Sequence, residues 1–189
     1  MTRLTHVCRT LGVGLAVTTA TLALTQVAHA APAPPTGPAS LAPPAGNEMF
    51  LASHGKGVQI YQCNGTSWAF VAPRATLTTD NGQVITHSVG PKWLAPDGSS
   101  VTGKAIAKDP LDADFRPADA KDIQQLLLQA TPAAVPGIIS ATTYIQRLNT
   151  QGGTQPPAAE CKAQTAGKVK EVPYQADYIF FKATAPKPA

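Results

Sequence analysis

The stretch Gly57-Val58-Gln59-Ile60-Tyr61-Gln62-Cys63-Asn64-Gly65-Thr66-Ser67-Trp68-Ala69-Phe70-Val71 decides the fold class of this chain. Its first seven residues alternate between polar and apolar side chains, the period-two pattern of a strand. Asn64-Gly65 is a tight-turn dipeptide, because both residues tolerate positive φ. Residues 67–71 then return as a second strand, with Trp68 and Phe70 on one face. The unit reads as a β-hairpin.

The same grammar continues outward. Thr76-Leu77-Thr78-Thr79 runs into the turn Asp80-Asn81-Gly82 and then into residues 83–89. Asp97-Gly98 marks a third turn before Val101. Residues 141–148 are rich in β-branched and aromatic side chains, and Gln151-Gly152-Gly153 stops them. Residues 177–182 form a closing strand around Tyr178, Ile179, Phe180 and Phe181. Short strands with regular turns predict an all-β, mostly antiparallel domain, a β-sandwich or partly open barrel with at most one short helix. That helix falls at 119–124, with Asp119 as its cap and Ile123, Leu126, Leu127 and Ala130 at helical spacing. The competing reading makes residues 125–130 a buried strand that pairs with 139–148 across Pro136-Gly137. The sequence favours the helix at 119–124 running into a strand.

The ends of the chain read differently from its middle. Residues 1–30 have the form of an export signal: Arg3 and Arg9, an uncharged apolar run over 11–27, and the cleavage-like tripeptide Ala28-His29-Ala30. The run is at the short limit for crossing a bilayer and contains Thr18, Thr19, Thr21, Thr25 and Gln26, so a cleaved signal is favoured over a membrane anchor. Arg9-Thr10 is not a twin-arginine pair, which points to the general secretory route and a secreted or envelope-associated product. Residues 31–46 are rich in alanine and proline and read as a stiff linker. A single domain then occupies 47–182, and 183–189, with Pro186 and Pro188, read as a disordered tail.

Removal of the signal changes the chemistry that remains. The formal net charge is +4, and loss of Arg3 and Arg9 lowers it to about +2, too little to argue for nucleic acid. Lys162, Lys168 and Lys170 read as a solvated loop. His6 and His29 leave with the signal, so a three-histidine metal site cannot form, and no metal or cofactor is expected. Three cysteines become two, Cys63 and Cys161. An even pair in an exported chain reads as a disulfide, here closing a loop of about 99 residues that the chain-entropy estimate values at ~4–5 kcal/mol. The rival reading keeps two free thiols as metal ligands or nucleophile.

Motifs for catalysis are scarce. Gly12-Val13-Gly14 lies inside the signal, and Gly55-Lys56-Gly57 lacks the strand, loop and helix that phosphate binding needs. No Gly-x-Ser-x-Gly elbow exists. The densest polar and aromatic stretch, residues 87–99, offers His87 as a general base oriented by Asp97. The plainer reading packs Trp93 in the core and makes Asp97-Gly98-Ser99 a β-turn. Trp93, Lys92 and Trp68 are candidate ligand-binding residues, the two indoles forming a stacking platform for sugars if both are exposed. Arg147 sits among apolar strand residues and is either a substrate anchor or the partner of Asp177 in a structural ion pair. Asn64-Gly65-Thr66 is a glycosylation sequon, which matters only in a host that glycosylates secreted proteins.

Several of these segments occur together in one family. Residues 57–63, His87 with Gly90-Pro91 and Trp93, Asp97-Gly98-Ser99, residues 143–150 with Gly152-Gly153, and Pro173-Tyr174 with Ala176-Asp177-Tyr178 resemble, in that order, the DUF3455 family. The resemblance covers about 47–182. It implies a secreted or surface-associated single domain of unknown function, found in bacteria and fungi. Its pattern includes Cys63 and a cysteine after the Gly-Gly loop, here Cys161, which favours the disulfide. It supplies no catalytic residues. Some fungal relatives are labelled malate dehydrogenase, but the mature chain has no dinucleotide-binding glycine pattern to match. The leading functional expectation is a non-enzymatic extracellular binding domain for cell-envelope or other glycan. The alternatives are a secreted enzyme using His87 and Asp97, or a structural or stress-related surface protein.

Overall fold

The computed structural model describes residues 36–109 and 121–184. The signal reading at 1–30, the first part of the linker at 31–35, the proposed cap Asp119 and the last residues 185–189 lie outside the described residues.

The hairpin forms as the sequence predicts. β1 (Asn47–Cys63) and β2 (Trp68–Thr79) are antiparallel, with Cys63 opposite Trp68 and Lys56 opposite Thr76. The turn is four residues long rather than two, because the Asn64 side chain accepts hydrogen bonds from the backbone N–H groups of Thr66 and Ser67 at 3.0 and 2.9 Å. β3 (Val84–Ser88), β4 (Lys92–Leu94), β5 (Ser100–Asp109), β6 (Gln125–Pro132), β7 (Thr142–Gly152) and β8 (Val169–Ala183) follow, each antiparallel to its predecessor. β8 also pairs with β1, from Asn47 opposite Ala183 to Gln62 opposite Val169. The eight strands therefore form a closed barrel, all-β as expected, and closed rather than partly open or split into two sheets. Closure draws β1 hard against β2 at Gly57, where a Cβ would lie 2.2 Å from the Arg74 carbonyl oxygen. Only glycine fits so close an approach.

The wall carries apolar residues on both faces. Leu77, Ile85, Val101, Leu128, Ile145 and Phe180 point inward. On the outer face Leu127, Leu148 and Ile179 are buried beneath Leu41, which belongs to a 3₁₀ turn at Ala39–Leu41. The Gln146 side-chain amide donates to the Leu41 carbonyl at 2.7 Å, and the Ser40 hydroxyl donates to Asp109. The described part of the proposed linker, 36–46, is thus a strap bound to the wall. One leucine within an otherwise proline- and alanine-rich run was enough to change its role.

This strap also explains the error at 119–124. Residues 121–124 are not helical: Asp122 bridges to Gly153, and Ile123 N–H donates to the Gly152 carbonyl at 2.9 Å. The strand at β6 is correct and pairs with β7, Leu126 opposite Arg147 and Gln129 opposite Tyr144. Because Leu127 meets the strap while Leu128 meets the interior, the strand is apolar on both sides and loses its period-two signature. At the other end of the chain, Ala183 still belongs to β8, so the tail begins later than expected.

Cys63 and Cys161 form a disulfide, with Cα atoms 5.4 Å apart. It ties the end of β1 to the loop between β7 and β8 and is packed with Tyr61, Trp68 and Val172.

Candidate functional site

The barrel is filled toward the end where Asn47 meets Ala183 and hollow toward the end that carries the disulfide. Above the packed half, Trp93, His87 and Tyr178 form an aromatic floor. Trp93 reaches inward because β5 places Gly103 beneath it; a Cβ there would lie 2.9 Å from the indole. His87, on the neighbouring strand and directly opposite Trp93, stacks on the indole. The Tyr178 ring meets both edge-on, with centroids 5.5 Å from His87 and 6.0 Å from Trp93.

Over this floor lies a cavity of about 960 Å³, open to solvent. Its lining is mostly apolar, with Phe70, Val71, Pro73, Leu126 and Leu128 among the contributors. Among the described residues, Arg147, Lys104 and Asp122 also line it. Such a volume suits a small organic molecule, and an eight-stranded barrel is wide enough to enclose one.

The polar groups of the cavity have defined states. His87 is only 3% exposed, and its Nδ1 lies 3.1 Å from the Lys92 carbonyl oxygen. A carbonyl can only accept, so Nδ1 carries the proton of the neutral ring. Burial holds the His87 pKa down at about 4; the bond to Lys92 opposes this, and the positive charge of Arg147 adds to it. The Tyr174 and Tyr178 hydroxyls are 3.1 Å apart, and burial pushes both phenols up while Arg147 pulls them down. Tyr61 donates to the Gly153 carbonyl at 2.7 Å; burial raises it, again opposed by Arg147. Arg147 therefore acts electrostatically on four aromatic side chains. Its Nε and Nη2 donate to the Gln124 carbonyl at 3.2 and 2.7 Å.

The candidate residues fall in different places. His87, Trp93 and Arg147 come together at the cavity. Asp97 does not join them. It is exposed, and its carboxylate accepts from Ser99 N–H at 2.9 Å, Ser99 Oγ at 2.7 Å and Ile138 N–H at 2.6 Å. These bonds, led by the Ser99 hydroxyl, hold its pKa below the usual carboxylate range. Asp97 is a turn residue that joins two loops, so the His87–Asp97 pair of a general base is not assembled. The Lys92 side chain is exposed on the opposite face from Trp93 and gives the site only its carbonyl. Trp68 is buried beside the disulfide, donates to the Pro157 carbonyl at 3.2 Å and lies beneath Lys170. Trp68 and Trp93 are both buried, in separate clusters, and form no exposed platform. Arg147 does not pair with Asp177 either. Arg147 is opposite Tyr178 in register, one residue out of phase with Asp177, which binds His54 and Asn149 instead.

Gln59, Tyr61 and Tyr178 line the cavity and were not singled out as site residues in the sequence; Tyr174 stands behind them, bonded to the Tyr178 hydroxyl. The signal for Gln59 was present: it shares the inward phase of β1 with Gly55 and Tyr61, while Val58 and Ile60 fall on the other face. Polar residues on the inward phase of a strand mark a lined cavity rather than a solid core.

A family model described as a protein of unknown function, DUF3455, matches residues 44–182. The chain belongs to the DUF3455 family. No curated protein and no solved structure matches it. The matched span of this DUF3455 chain contains β1–β7, β8 as far as Lys182, the disulfide and every described residue of the cavity; the strap residues before 44 and residues 183–184 fall outside it.

Proposed function

We propose that this DUF3455 domain is an extracellular binding protein that holds a small, largely apolar molecule inside its barrel. The observation that carries this reading is the cavity of about 960 Å³ with its mostly apolar lining, and beside it lie two buried donors. Gln59 Nε2 and Trp93 Nε1 have no hydrogen-bond partner among the described residues, although their residues are 3% and 1% exposed. Buried polar groups in folded proteins are almost always bonded, and exceptions concentrate at functional sites. The mostly apolar lining supplies the rest of the recognition. The interior thus replaces the surface glycan platform as the place where binding occurs. The export signal read at 1–30 and the Cys63–Cys161 disulfide support an oxidising, extracytoplasmic compartment.

The test is a panel of small amphiphilic molecules added to the mature protein, followed by tryptophan fluorescence and thermal unfolding. Ligands of the interior should change Trp93 emission and raise the melting temperature. Ala105→Trp, which fills the cavity from β5, should abolish both effects while the protein remains folded. Binding that survives Ala105→Trp unchanged would move the site elsewhere and overturn the proposal.

A further inference from the structure

We infer that the molecule held in the barrel is an amphipathic carboxylate whose anionic group is received by Arg147. This inference rests on the interior-binding reading above and adds the chemistry of the ligand.

The first observation is the state of Arg147. It projects into the cavity from β7, beside Tyr178, and its hydrogen-bond partner is neutral, the Gln124 carbonyl. Among the described residues no carboxylate forms an ion pair with it. The acid nearest in register, Asp177, is bound by His54 and Asn149. A guanidinium in a mostly apolar cup without a counter-charge is unusual, since buried or half-buried charges are normally paired.

The second observation is that the unpaired buried atoms are all donors. Gln59 Nε2 and Trp93 Nε1 both offer N–H, as does arginine. The polar groups around the cavity are thus rich in donors, and a carboxylate, with two oxygens and several lone-pair sites, is the complementary group for Arg147.

The third observation is charge balance. Among the described residues Asp122 is the acid of the lining, and Lys104, which alternates on β5 with the inward Gly103 and Ala105, sends its side chain to the outer face. Asp122 Oδ1 already accepts the Gly152 N–H and so serves the wall. His87 is neutral, held by the Lys92 carbonyl. The charge left to meet a ligand inside the cup is therefore that of Arg147, which favours a monoanion. Phe70, Val71, Pro73, Leu126 and Leu128 leave the remaining surface apolar, which calls for a hydrocarbon or aromatic body attached to the anion.

The experiment compares acid and alcohol pairs of the same body: decanoate with decanol, and 2-naphthoate with 2-naphthol. Calorimetry on the mature protein is expected to show at least one acid binding about tenfold or more tightly than its alcohol, as a charge-assisted bond implies. Arg147→Gln should bring acid and alcohol affinities to near equality, and Arg147→Lys should restore part of the preference. Equal affinity for acid and alcohol in the wild-type protein overturns the carboxylate inference while interior binding stands. Binding of none of the four compounds overturns both. The wild-type comparison needs no variant, so a misfolded Arg147→Gln protein does not spoil the result.

Discussion

The His87 imidazole lies flat against the Trp93 indole, with ring centroids 4.3 Å apart and planes 10° from parallel. Such a stack removes water from the imidazole face and disfavours its charged form. Arg147 disfavours it further.

Stability should therefore depend on pH between about 4 and 6.5. In that window the unfolded chain protonates His87 and the folded chain does not. The contribution is complete above pH 6.5 and is lost as pH falls toward the folded value near 4, by about 3 kcal/mol in all. His54 works in the opposite direction: its bond to Asp177 raises its pKa, so its stabilisation is present at low pH and is lost as pH rises through the folded value. His54 is exposed, so solvent screens its effect. Urea unfolding from pH 4 to 7.5 on wild-type and His87→Phe proteins checks this; the difference between the two should shrink as pH falls. A constant difference across the range would refute it.

Removing the disulfide should destabilise the barrel without changing its topology. A Cys63→Ser/Cys161→Ser double variant is expected to lose about 2–5 kcal/mol, the range found when a disulfide closes a long loop. The measurement is the urea midpoint beside that of the oxidised protein. An unchanged midpoint would mean that the loop packed around Trp68 holds itself.

Leu41 should act as a structural anchor. It is fully buried on the outer wall against Leu127, Leu148 and Ile179, which belong to three different strands. Leu41→Ala is expected to cost about 2–4 kcal/mol in global stability. Hydrogen exchange at the Leu148 and Ile179 amides provides the control. Faster exchange there with unchanged global stability would show instead that the strap opens by itself.

Gly57→Ala should be more damaging than its size suggests. The new methyl would meet backbone, at 2.2 Å from the Arg74 carbonyl oxygen and 2.5 Å from Ala75 Cα, so it cannot be relieved by a side-chain rotation. At Gly55 the nearest obstacle is the Tyr178 ring. We expect Gly57→Ala to cost about 3 kcal/mol or more. Thermal unfolding of the purified variant measures it, and a melting temperature equal to wild type would show that β1 and β2 separate freely at this point.

Much of the fold was legible because most strands keep one face toward the interior and one toward water. The hairpin at Asn64-Gly65 and the turn at Asp80-Asn81-Gly82 show this directly, whereas the run at 178–181, covered on both faces, was legible from its aromatic and β-branched composition. Residues 119–130 misled because Leu127 and Leu128 are covered on opposite faces, and the cover over Leu127 comes from a segment some eighty-five residues earlier in the chain. The site was only half legible for a related reason. His87, Trp93 and Arg147 attracted notice as isolated polar or aromatic residues, but their meeting depends on the barrel closing. Gln59 was hidden because alternation alone does not say which phase faces in, and the interior takes Gln59 and Tyr61. Asp97 stood ten residues from His87 in a promising stretch, yet turn chemistry with Ser99 and Ile138 claimed its carboxylate.

Both seams of the barrel are made by its last strand. Val169–Ala183 pairs with β7 on one side and with β1 on the other. Until that segment leaves the ribosome, β1 and β7 remain open edges, and no amount of waiting can seal them. Pairings between such distant parts of a chain also form slowly. The finished shape is thus a late event in the life of the polypeptide. A chain that stays loose until β8 appears can still be threaded through a narrow channel, and the export proposed for this protein would find it in that state.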